Sequence, residues 1–168
     1  MIPLLFLSAF PASLLIAAMN DLYEYKIPNW VSVVLFLSYF AAGIGFGAPA
    51  GDLLEGFLFG CAALVFGFAL FAGKVLGGGD AKLIAACAPW IGPSALMPFA
   101  FYTALAGGAF AVALVLFRKT PLLPVYASAP WLMRLHQRPK DIPYAVAIAA
   151  GGLISFPQTS MFQLAFGG

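Results

Sequence analysis

Residues 53–72 read LLEGFLFGCAALVFGFALFA. After Glu55 this run carries no charge and no proline. A helix on the surface of a soluble protein buries one stripe and shows polar residues on the opposite face. Here every face would be apolar. About 20 such residues match the thickness of a bilayer's hydrocarbon core. The run predicts a membrane span, Leu53–Ala72, with lipid as its solvent. Gly56 and Gly60 give it a GxxxG spacing that lets helices approach closely. That is a packing signal, and it says little about function.

On either side, the charged residues divide the chain into further apolar runs: Ile2–Met19, Trp30–Phe46, Ala81–Pro98, Phe99–Phe117 and Pro143–Phe156. The expectation is an all-α, polytopic bundle of six spans, one integral-membrane domain over residues 1–168. Pro89 and Pro93 should kink or shorten the fourth span. The sixth is short unless it continues towards Phe166. No Lys or Arg precedes the first run, so it reads as a retained span and not a secretory signal, which needs a basic start.

The composition agrees. Charged residues make up 8% of the 168 and hydrophobic ones 63%, where a soluble domain carries roughly 25% charge. A net charge of +2 gives no footprint for nucleic acid. With six spans, the first, third and fifth loops and the helix turns beside them hold Lys26; Lys74 and Lys82; and Arg118, Lys119, Arg134, Arg138 and Lys140. These are all 8 basic residues. The other side has only Asp52 and Glu55. The positive-inside rule then puts the three basic loops in the cytoplasm and both termini outside.

Of the acids at the basic face, two are the best placed for chemistry. Asp21 follows the first run, in NDLYEYKIPN (20–29), and Asp80 opens the fourth, in GGGDAK (77–82). Far apart in sequence, they can meet in a bundle. Aspartic proteolysis needs two carboxylates sharing a water, one ionised to take its proton and one protonated to donate to the scissile carbonyl. Two carboxylates about 3 Å apart cannot both ionise, so proximity itself creates acid and base. Gly77, Gly78 and Gly79 would let a substrate backbone come close and allow positive φ. Pro28 would pre-set the first turn of the second span. Lys82, near the membrane edge, can snorkel to water.

The plainer alternatives are that Asp80 caps a helix and Asp21 is a solvated charge beside the membrane. Asp141 reads as a cap and charge partner of Arg138 and Lys140, Glu24 as a solvated or substrate-contacting loop acid, and His136 as a solvated side chain. Gly73-Lys74 is followed by Val75, which rules out a phosphate loop. Cys61 and Cys87 sit in apolar runs without Cys or His partners, so no metal site is expected.

The ordered set of Asp21, Ile27-Pro28-Asn29, Gly77-x-Gly79-Asp80-x-Lys82 and Ile142–Gly151 resembles the type IV prepilin peptidases, the GxGD aspartic proteases. The family commonly has glycine where this chain has Ala145. The resemblance implies Asp21 and Asp80 as the catalytic pair, with Gly77, Gly78, Gly79, Lys82, Pro28 and Asn29 shaping the site or binding substrate. It implies a prepilin substrate, no cofactor, and a bacterial inner membrane with the site facing the cytoplasm. The short chain is similar to CpaA/TadV-type members that serve Flp (Tad) pili. It lacks the cytoplasmic cysteine-pair region of longer relatives that also N-methylate, which leaves methylation open, as it leaves the oligomeric state.

Presenilin-like proteases also use GxGD, with aspartates deeper in their spans. A small transporter or channel is the alternative from another class, since intramembrane acids usually line such paths. Here the acids fall at loops or span edges. An assembly protein with a dead site fits less well with a complete motif set.

Overall fold

The computed structural model describes residues 2–121, 129–138 and 141–167, with backbone only for Ile2 and Pro3. All regular structure among them is helical. α1 spans Ile2–Glu24, α2 Asn29–Phe46, α3 Ala50–Ala72, α4 Gly78–Arg118, α5 Pro130–Gln137, α6 Ala145–Ser155 and α7 Ser160–Phe166, with a 3-10 turn at Phe156–Gln158. Leu4–Glu24, α2, α3 and α4 are long and apolar enough to cross a membrane. A fifth span results if Ala145–Gln158 and Ser160–Phe166, which meet at 47°, are taken as one. The protein is a multi-pass membrane protein.

The core is narrow and aromatic. Phe10, Leu14, Leu35, Leu83, Trp90, Ile91 and Ile148 are fully buried. Phe10 stacks on Phe156 at 4.6 Å and lies 5.3 Å from Trp90. The Trp90 indole N–H donates to the Leu35 carbonyl at 2.8 Å, the partner that a buried Trp needs away from water. On α3 only Gly56, Gly60 and Gly67 are buried. They face Tyr39, Pro89 and Ala81 respectively, so the spacing seen in the sequence is a seam. Val65, Phe66 and Phe68 on the same helix are exposed, as a lipid-facing surface requires.

The expected fourth and fifth spans form one 41-residue helix, interrupted at Gly92 (φ 60°, ψ 177°). The break therefore lies at Gly92, and Pro98 sits inside the second half. Only glycine takes these angles readily, and Pro93 after it cannot donate the hydrogen bond that would continue the helix.

The neighbours of each half show that the chain reverses there. Ala81 meets Gly67 and Pro89 meets Gly60, so Gly78–Ile91 runs antiparallel to α3. Further on, Gly151 meets Thr103 and Gly107 meets Ala147, so the second half runs antiparallel to α6. Arg118 at its end donates to the Asp141 carbonyl at 2.7 Å, just ahead of α6. Gly78 and Arg118 thus share one end of the bundle.

Other boundaries moved less, but with consequences. α1 runs on through Glu24, so Asp21 and Glu24 are helical and not loop residues. Pro28 is the N-cap of α2, one position before its first turn. Part of the long basic loop is the helix α5, whose Trp131 packs edge-on against Tyr23 at 5.3 Å. His136 is half-buried there, with Nε2 2.9 Å from the Thr120 carbonyl. Lys140 lies outside the described residues.

Candidate active site

Asp80 occupies the third position of α4, counted from its N-cap Gly77. There a carboxylate can turn back towards the free N–H of the cap residue, and the Asp80 carboxylate lies over Gly77. A Cβ on Gly77 would lie 2.7 Å from the Asp80 Oδ2. Gly77 itself has φ −68°. None of Gly77, Gly78 and Gly79 has positive φ. The positive φ that the run allows is not used; Gly77 must be small because the Asp80 carboxylate folds over it. Gly78 and Gly79 are packed by Phe71 and Ile27.

Asp21 lies on the last turns of α1, buried at 7% exposure. Its Oδ2 accepts the Ala145 N–H, the first of α6, at 3.0 Å. The cap of α6 is therefore supplied by Asp21 from 124 residues away, and not by Asp141 as the sequence suggested. Asp141 is exposed and pairs with Arg138 at 3.6 Å, which bears out half of its expected role.

Both aspartates face one cavity of about 270 Å³. It is lined by Asp21, Tyr25, Lys26, Ile27, Asn29, Gly77, Gly78, Gly79, Asp80 and Lys82. The two are close enough for their charges to interact. The N-termini of α4 and α6 both end on these carboxylates, and the positive ends of two helix dipoles favour negative charge there. Lys82 Nζ donates to Asn29 Oδ1 at 3.1 Å, tying the start of α2 to the start of α4. Pro28 stays outside the lining and, as the N-cap of α2, directly precedes Asn29.

The sequence reading missed two contributors. The Ala145 N–H orients Asp21, and its only trace was the Ile142–Gly151 stretch. Tyr25 lines the cavity in a left-handed conformation (φ 55°), with Arg138 5.1 Å over its ring. Burial raises the pKa of its phenol, which keeps it protonated.

A helical membrane bundle with a buried carboxylate pair on one polar cavity is the arrangement that a membrane-embedded aspartic hydrolase requires. The model of the type IV leader peptidase family matches residues 8–112, which hold both aspartates and the whole glycine motif. The chain belongs to that family, whose members are aspartic prepilin peptidases. No curated protein and no solved structure matches it.

Proposed function

We propose that Asp21 and Asp80 are the catalytic dyad of a single-domain endopeptidase that removes the leader of Flp/Tad-type prepilins at the cytoplasmic face of the inner membrane. The observation that carries this reading is the shared cavity of two buried carboxylates where two helix N-termini converge. A water between them attacks the scissile carbonyl. One aspartate takes a proton from the water, and the other gives one to the carbonyl oxygen. Collapse of the tetrahedral adduct breaks the C–N bond, with a proton passing to the leaving amine. The pair titrates as a unit, so neither carboxylate is assigned the proton. Asp21 Oδ2 is engaged by Ala145, which orients its other oxygen for the water.

Six crossings and outward termini fit the reversal at Gly92 and the confinement of the basic residues. The dyad then lies at the cytoplasmic boundary, where a basic leader meets an apolar helix. Incubation of the purified protein with a candidate prepilin, followed by mass determination, tests the activity. The expected product is mature pilin shortened by its leader, and unchanged substrate would overturn the reading.

A further inference from the structure

A second cavity, of about 420 Å³, lies on the side of the bundle between α2 and α3. These helices meet at the far end, where Gly43 faces Leu53, Gly56 faces Tyr39 and Gly60 faces Phe36. Towards the aspartates they part, and the floor between them is Ala85 and Ala86 of α4. Val33 and Leu37 on one rim and Leu64 on the other are exposed, so the groove opens into the lipid. Its upper end is bounded by Asn29 and Lys82, which also line the aspartate cavity. The groove thus adjoins the candidate active site, with the Lys82–Asn29 hydrogen bond between the two.

We propose that this groove seats the first turns of the substrate's own transmembrane helix, just beyond the cleaved bond. The proposal rests on the peptidase reading and names how the substrate docks. Its lining is graded: polar atoms stand only near the site, on Asn29, Ser32 and Lys82, and the deeper walls are apolar. An incoming helix has the same grading. Its first four N–H groups lack intrahelical partners, while later turns show only side chains.

Ser32 is buried at 9% exposure, and its Oγ has no hydrogen-bond partner. The Oγ is closed off from the groove that the residue lines; an unpaired buried hydroxyl is costly, and a turn of its side chain into the groove would let the free N–H of an entering helix satisfy it. Apolar packing in the lower groove holds the helix, and the extended segment before it crosses the Lys82–Asn29 contact to the aspartates. A lipid chain would fill the apolar part but offers no N–H to Ser32.

Cys61 lines the groove and is exposed, whereas Cys87 is buried. By the pairing of Gly60 with Pro89, Cys61 lies roughly 12 Å below Asp80 at the helical rise per residue. The Asp80→Asn enzyme, which holds substrate uncut, is oxidised with full-length prepilins carrying single cysteines at successive positions. Cross-linking to Cys61 should peak roughly six to ten residues past the cut, repeat every three to four residues as a helix does, and vanish in Cys61→Ser. A flat or absent pattern overturns the proposal.

Val33→Trp and Leu64→Trp, from the exposed rim, narrow the groove without touching the core. Each should raise KM for the full prepilin about tenfold, equivalent to losing one buried side-chain contact. A short peptide spanning the cut but lacking the apolar helix should be cleaved as by the wild type. Equal cleavage of the full prepilin would assign the groove to lipid and overturn the proposal. Failure of the wild type to cut either substrate would refute the peptidase reading instead, and the cross-linking pattern still reads the groove.

Discussion

At the scale of single residues, the aspartates can be separated from their structural roles by an isosteric change. Asn keeps the shape of Asp and still accepts a hydrogen bond, so Asp21→Asn should go on capping Ala145, and Asp80→Asn should still lie over Gly77. The amide cannot take the proton of water or supply an acidic one. Each variant should lose at least about a thousandfold in turnover, with the double variant no worse, because groups acting as a unit are non-additive. Asp141→Asn, at the same end and paired with Arg138, should stay within about tenfold of wild type. Rates on a prepilin, with detergent stability checked alongside, decide the matter; substantial turnover by a folded Asp21→Asn or Asp80→Asn enzyme refutes the dyad. Gly77→Ala probes the same site from the backbone side. Its methyl would meet the Asp80 carboxylate at 2.7 Å, and the carboxylate must swing away. A misplacement of that order costs about a hundredfold in kcat, with thermal stability near wild type. Wild-type kcat in Gly77→Ala would show that the carboxylate tolerates the move.

At the scale of elements, Gly92 carries the reversal of α4. Its angles cost a residue with a Cβ about 1–3 kcal/mol. The space around it is open, with nothing within 4 Å of a built Cβ. Gly92→Ala should therefore destabilise through backbone strain alone, lowering the melting midpoint in detergent by a few degrees, while the aspartate cavity at the other end stays intact. A midpoint unchanged from wild type would mean that the turn relaxes without strain. The contrast between Gly92 and Pro98 shows why the sequence misplaced this boundary. Proline is tolerated within a membrane helix when neighbours re-satisfy the backbone, so Pro98 does not stop α4. The positive φ of Gly92 has no counterpart in a hydropathy pattern.

At the scale of the whole molecule, orientation is the testable consequence of charge. In a background without Cys61 and Cys87, an impermeant thiol reagent should label Gly51→Cys in intact cells. It should label Val75→Cys, at the exposed start of the α3–α4 connection, only after the membrane is opened. The reverse pattern would invert the protein and place the dyad outside. The amino-acid sequence by itself determined that the chain is a helical membrane protein, because hydropathy and the placement of 8 basic residues are properties of composition and order. It also singled out Asp21 and Asp80, since two acids beside apolar runs are costly enough to stand out. Tertiary structure alone decided what holds them. The Ala145 N–H on Asp21, the Asp80 carboxylate folded over Gly77 and the groove between α2 and α3 depend on which helices pack together. In lipid that choice is made by close contact between small residues such as Gly60, Gly67 and Gly151. The hydrophobic pattern, apolar on every face of α3, carries no instruction about it.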